Sequence, residues 1–269
     1  MQLSRFMRAI AVRAVMGSVT LALASPVNST AALPQTVAAS TAPVGTLAEL
    51  PDGAFARLPS SLAEGQAPII IVLLHGAGQT PAEIITRFST FAGCESTVLL
   101  APKSAGATWD IIARLKLASS VDPSRLGSTP AFTSSRDADR VMKAIADLET
   151  SLHHRAARLT LVGFSDGATF ALALGTDRRN SFTNVVAISP GMAVVAARPA
   201  RRRPVLIMHG RRDRSLPFEF TRSTIVPAVK QSGALVHFEP FEGGHEIPDQ
   251  RRLRGQGSEE SGGSQCFPP

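Results

Sequence analysis

Gly163-Phe164-Ser165-Asp166-Gly167 carries the spacing G-x-S-x-G. The apolar run Leu159 to Val162 leads into it, and a small-residue helical pattern, Ala168 to Leu174, follows at once. Between a strand and a helix, this spacing lifts a serine hydroxyl clear of the sheet, at the end of a helix that stabilises negative charge. The flanking glycines suit a turn too tight for side chains. The chemistry open to Ser165 is nucleophilic attack, and a hydroxyl needs a base to take its proton. A plain tight turn is the bland alternative. The choice rests on whether the chain supplies a base, a carboxylate and an oxyanion hole.

Six histidines compete for the role of base. His153 and His154 end a surface helix, and His237 lies inside a strand pattern. His209 sits at a strand end, where packing explains it. His75 ends the run Ile69 to Leu74 and is followed by glycines, which suit a site made of backbone groups. His245 follows Gly243-Gly244 on the last crossing loop and is free to reach over the sheet edge. His245 is therefore the preferred base and His75 its rival. Asp213, in the loop after Val205 to Met208, can hold the imidazole tautomer and stabilise the imidazolium. Its alternative role is a surface pair with Arg211, Arg212 or Arg214, worth little. The backbone N–H groups of Ala77 and Asp166 are the candidate oxyanion donors, with glycine at 76 and 78 allowing close approach.

These residues need strands to present them at one edge. Ile69 to Leu74 is a continuous β-branched and leucine run, as expected for a strand buried on both faces. Thr80-Pro81-Ala82-Glu83 reads as a capping box with proline in the first turn. Further strands are expected at Thr97 to Ala101, Val185 to Ile188, Val205 to Met208 and Leu235 to Phe241. An amphipathic helix is expected at Asp137 to His154 and another at about Glu219 to Gln231. Residues from Trp109 to Arg136 read as a long irregular segment with one short helix. Strands alternating with helices predict an α/β fold, a mostly parallel sheet with helices on both faces, whose ligand site lies at the carboxyl ends of the strands.

Apolar residues make up 44% of the 269, which suffices for a sizeable core. The net charge of +7 comes largely from arginine clusters such as Arg201-Arg202-Arg203. It allows a weak attraction to anionic surfaces, but no nucleic-acid-binding motif accompanies it. Two cysteines, Cys94 and Cys266, make neither a disulfide framework nor a zinc site. Residues 1–32 read as a targeting segment, with Arg5, Arg8 and Arg13 before a short apolar stretch. Export to the periplasm or medium is favoured, with mitochondrial import the alternative. Residues 33–50 read as a linker, 51–248 as the folded domain and 249–269 as a disordered tail.

Taken together and in order, several pieces carry a resemblance: Leu74-His75-Gly76-Ala77-Gly78, Trp109-Asp110, Gly163 to Ala168, Ile188-Ser189-Pro190-Gly191, His209-Gly210 with Asp213, and Gly243-Gly244-His245. The chain resembles the phospholipase/carboxylesterase-type branch of the α/β-hydrolase superfamily, including bacterial esterases that read G-F-S-D-G-A. The order Ser165, Asp213, His245 is the α/β-hydrolase order. The resemblance implies hydrolysis of a small-molecule or lipid carboxylic ester through an acyl-enzyme, without metal or organic cofactor and without a large cap domain. The same three residues could also cut thioesters or lysophospholipids. From a different class, an inactive or truncated hydrolase fold could act as a binding protein. Trp109 and Asp166 are placed at the substrate pocket, where the Asp166 carboxylate would favour substrates with a positive group. Family members continue past the histidine with an amphipathic helix, which the sequence after Pro248 does not repeat.

Overall fold

The computed structural model describes residues 47–59, 65–93, 96–121 and 131–249. All of these lie in one compact unit. Residues 1–32, read from the sequence as a targeting segment, most of the stretch read as a linker, Cys94, Cys266 and the residues after Asp249 fall outside the described residues.

In chain order the strands are β1 (Leu47–Glu49), β2 (Phe55–Arg57), β3 (Ile69–Leu74), β4 (Thr97–Ala101), β5 (Ala131–Phe132), β6 (Arg158–Phe164), β7 (Asn184–Ile188), β8 (Val195–Ala196), β9 (Pro204–Gly210) and β10 (Leu235–Phe241). Eight of them form one sheet in the order β1-β2-β4-β3-β6-β7-β9-β10, and β5 pairs with β8 in a separate ladder. From β4 to β10 every pairing is parallel; β2 runs antiparallel to β4, and β1 antiparallel to β2. The mostly parallel sheet expected from the alternating pattern is present. One boundary differs: Leu47–Glu49, inside the stretch read as linker, is already a sheet strand. Three-residue, half-buried edge strands carry too few side chains for a period to show.

Side chains alternate across β3, and the core divides accordingly. Ile70, Val72 and Leu74 face a cluster that includes residues of α2 (Asp110–Val121), α3 (Arg136–Leu152), α4 (Asp166–Gly175) and α6 (Val226–Gln231). Ile71 and Leu73 face the opposite cluster, built with α1 (Pro81–Arg87), Phe88 and Phe91. Helices thus cover both faces, and the central strands β3, β4 and β7 are buried almost throughout because neither face meets water.

The helix boundaries follow local chemistry. The Thr80 side chain accepts from the Glu83 N–H at 3.2 Å while the Glu83 carboxylate accepts from the Thr80 N–H at 2.6 Å, the expected capping box. Ser135 caps α3 through the Ala138 N–H, and His153 ends it in the left-handed region at φ 56°. The helix expected at 219–231 is split into α5 (Phe218–Phe220), a π-turn (Thr221–Ile225) and α6. Between Trp109 and Arg136, α2 extends for 12 residues, longer than the short helix expected. Among the described residues, no helix is long and apolar enough to cross a membrane.

Candidate active site

Ser165 follows β6 directly and adopts φ 58°, ψ −121°, a region that costs a non-glycine residue on the order of 1–3 kcal/mol. The surroundings hold it there. Its N–H donates to the Ile188 carbonyl at 2.9 Å, and its carbonyl accepts from the Ala168 N–H at 2.9 Å and the Thr169 N–H at 3.2 Å. Backbone crowding explains the glycines. A Cβ on Gly163 would lie 2.1 Å from the Gly167 carbonyl oxygen, and one on Gly167 would lie 2.2 Å from that of Leu74. β6, α4 and the end of β3 can meet this closely only because both positions lack a side chain.

The Ser165 hydroxyl donates to His245 Nε2 at 3.0 Å. With its proton on Nδ1, His245 donates to Asp213 Oδ2 at 2.7 Å. The structure therefore brings Ser165, His245 and Asp213 into one hydrogen-bonded line. The Asp213 side chain is fully buried, at 0% exposure, and the imidazole is 22% exposed. The other carboxylate oxygen of Asp213 accepts from the Ser215 N–H at 2.9 Å and the Leu216 N–H at 2.8 Å. Burial pushes the Asp213 carboxyl up, but the Leu216 N–H, His245 and the Ser215 N–H outweigh it and hold it below its ordinary value. No surface pair with a neighbouring arginine replaces this arrangement.

His245 sits on the loop after β10, and backbone contacts fix that loop. The Arg211 N–H donates to the Phe241 carbonyl and the Arg212 N–H to the Gly243 carbonyl, each at 2.9 Å. Gly210 lies so close that a Cβ there would meet the Gly244 carbonyl at 2.3 Å. The Phe164 ring packs on the imidazole with centroids 4.9 Å apart.

His75, the rival base, is buried and occupied elsewhere. Its Nδ1–H donates to the Gly76 carbonyl at 2.8 Å, and its Nε2 accepts from the Ser104 N–H at 3.4 Å. Burial lowers its pKa and keeps the ring neutral. His209 is buried too, donating from Nε2 to the Leu216 carbonyl at 3.0 Å with Asp213 Oδ2 at 3.2 Å. It braces the loop that carries Asp213, a part larger than packing alone.

The loop after β3 approaches the nucleophile closely. A Cβ on Gly76 would stand 3.3 Å from the Ser165 Cβ. Ala77 follows, and Gly78 adopts φ 70°. Asp166 is the first residue of α4, where a backbone N–H has no acceptor within the helix. Ala77 and Asp166, whose N–H groups are the candidate oxyanion donors, thus lie on the loop after β3 and at the start of α4, the two segments that meet at Ser165.

Two placements differ from expectation. Trp109 does not border a substrate pocket: it is 0% exposed, stacked on Phe170 at 4.9 Å and tilted against His75 at 4.9 Å. Its indole N–H donates to the His75 carbonyl at 2.9 Å, so it supports the loop from inside the core. The Asp166 carboxylate does not stand free for a cationic substrate. Its Oδ2 accepts from the Thr108 hydroxyl and from the Lys116 ammonium, both at 2.7 Å, and Lys116 balances its charge. Sequence reasoning also missed Asp137, fully buried. Asp137 accepts from the Ala105 N–H at 2.8 Å and the Asp110 N–H at 2.7 Å. Helical periodicity placed Asp137 at a helix start but carried no sign of these partners.

Residues 120–253 match the family model described as Phospholipase/Carboxylesterase. No curated protein sequence matches the chain. Among solved structures, esterase PE8 is 22% identical, covering 77% of this chain and 92% of its own, with a TM-score of 0.50. A butyrate-bound thermophilic esterase from the Planctomycetes species Thermogutta terrifontis is 16% identical, covering 76% of this chain and 85% of its own, also with a TM-score of 0.50. A thermostable esterase is 16% identical over 74% of this chain and 54% of its own, with a TM-score of 0.51. At these identities the likeness to solved structures is one of fold.

Proposed function

The chain belongs to the phospholipase/carboxylesterase-type family of α/β-hydrolases and is a carboxylic-ester hydrolase, and from that premise we propose that it works through an acyl-enzyme on Ser165, with His245 as base and Asp213 as its orienting carboxylate. The observation carrying this reading is the unbroken line from Ser165 Oγ to His245 at 3.0 Å and on to Asp213 at 2.7 Å. In the first half-reaction the Ser165 oxygen attacks the ester carbonyl carbon as its proton passes to His245 Nε2. The carbonyl oxygen becomes an oxyanion and takes hydrogen bonds from the Ala77 and Asp166 N–H groups. Collapse breaks the bond to the alcohol oxygen, which leaves with the proton from His245. Water then attacks the acyl-enzyme, giving a proton to the same nitrogen; His245 passes that proton to the Ser165 oxygen as the acyl–oxygen bond breaks, and the acid and free serine are released. Asp213 stays ionised throughout, stabilising the imidazolium.

A fluorophosphonate probe tests this reading without knowledge of the natural ester, since it labels only an activated serine. Labelling of the intact chain together with hydrolysis of a short-chain aryl ester, both abolished in Ser165→Ala, is the expected result. A chain that only bound its ligand would be neither labelled nor active, and hydrolysis surviving in Ser165→Ala would refute the assignment.

A further inference from the structure

The segment between β4 and α2 touches both sides of the oxyanion hole through consecutive residues. The Ala107 carbonyl accepts from the Gly78 N–H at 2.7 Å, next to the donor Ala77. The Thr108 hydroxyl donates to the carboxylate of Asp166, the residue that carries the second donor, at 2.7 Å. One peptide unit thus bridges two loops that are otherwise far apart in the chain, one after β3 and one after β6. Asp137 holds the bridging segment near both ends, through the N–H groups of Ala105 and Asp110. Ser104 adds its N–H to His75 Nε2, and its hydroxyl donates to the Gly106 carbonyl at 2.7 Å. Lys116 completes the set: its ammonium compensates the Asp166 carboxylate from α2 while remaining 51% exposed.

An oxyanion hole works because its donors are fixed before the charge appears, so a donor shifted by a fraction of an ångström loses much of its effect. Ala77 lies on a glycine-flanked loop whose own backbone is permissive. Asp166 lies at a helix start, with its carboxylate held by the Thr108 hydroxyl and by Lys116, whose long side chain is half exposed and fixes the position less closely. Neither contact needs the substrate, so the spacing is set in the free protein.

We infer that the Ala107–Thr108 unit fixes the spacing of the Ala77 and Asp166 N–H groups, making Thr108 a positioning residue for stabilisation of the oxyanion. This rests on the acyl-enzyme reading above. Thr108 touches no reacting atom; it acts through Asp166. Its nearly isosteric replacement, Thr108→Val, keeps the shape and removes the hydroxyl.

Probe labelling of the wild-type chain is read first, because its absence refutes the acyl-enzyme reading rather than the role of Thr108. With labelling in hand, Thr108→Val is compared on an aryl ester and with a trifluoromethyl ketone, whose hemiketal oxygen occupies the oxyanion position. The expected result is a fall in kcat of roughly 10-fold to 100-fold, less than the loss on removing a donor outright. The ketone should bind more weakly by a similar factor while KM stays unchanged. Thr108→Ser, which restores the hydroxyl, should recover both. Should Thr108→Val fail to fold, Thr108→Ala read against Thr108→Ser supplies the same comparison. Unchanged ketone affinity, a loss confined to KM, or no recovery in Thr108→Ser would each overturn the inference.

Discussion

Asp213 shows how a single side chain is committed on both oxygens. One oxygen is claimed by the N–H groups of Ser215 and Leu216, while the other takes His245 at 2.7 Å, with His209 Nε2 at 3.2 Å. Asparagine at this position can offer only one acceptor. The two backbone N–H groups would hold its oxygen and turn the amide nitrogen toward His245 Nδ1. Two donors cannot face each other there, so the imidazole would move its proton to Nε2 and lose the ability to take one from Ser165. Asp213→Asn should therefore lower kcat by about 10⁴, with a fall in melting temperature as the stabilisation of the ionised carboxylate is lost. Steady-state kinetics beside a thermal melt measure both, and a loss below ten-fold would show that the carboxylate does not set the tautomer. Ser165, Asp213 and His245 were legible in the sequence because each stands in a turn or glycine-rich loop just past an apolar strand. Trp109 was not, since an aromatic after a loop gives no sign of whether it faces solvent or the core. The Lys116 and Thr108 contacts to Asp166 join residues about 50 and 58 positions apart, beyond any local pattern.

At the scale of elements, the turn between β6 and α4 is limited by backbone crowding. A methyl group on Gly167 would sit 2.2 Å from the Leu74 carbonyl oxygen and 2.6 Å from that of His75, and neither oxygen can swing aside without moving β3. Gly167→Ala is thus expected to destabilise the protein by about 1–3 kcal/mol or more and to abolish activity, because the shift would carry Ser165 away from His245. Gly106→Ala is the control: a Cβ there meets nothing nearer than 3.7 Å. Denaturant melts of the two variants decide it, and equal stability would mean that the turn yields more readily than its packing implies. The same scale explains which elements could be read in advance. β3, β4 and β10 appear as solid or bounded apolar runs, and the α1 cap as a local four-residue code. β1, β2, β5 and β8, two or three residues each, have meaning only through their pairing partners.

Across the whole molecule, burial of neutral histidines ties the stability of the fold to pH. His75 and His209 both have their pKa lowered, first by burial, from an ordinary value of 6.5. The unfolded chain takes up protons there that the folded chain refuses, so the stabilisation is present above pH 6.5 and is lost as pH falls toward the folded values. The carboxylates act lower. Burial would raise Asp177, but the Arg179 guanidinium and N–H outweigh it, and Asp213 is likewise held down; both lie below 3.8. Their contribution is complete above 3.8 and disappears as pH falls through the folded values. The melting temperature should therefore decline in two stages on acidification, one beginning near pH 6.5 and a second below 3.8. His209→Gln keeps a side-chain N–H for the Leu216 carbonyl while removing one titrating ring, so it should make the first decline shallower and leave the second in place. Calorimetry of both proteins across this range tests the assignment. A melting temperature that rises as pH drops from 6.5 would mean that the folded chain binds protons more readily than the unfolded one, the reverse of what two buried neutral imidazoles require.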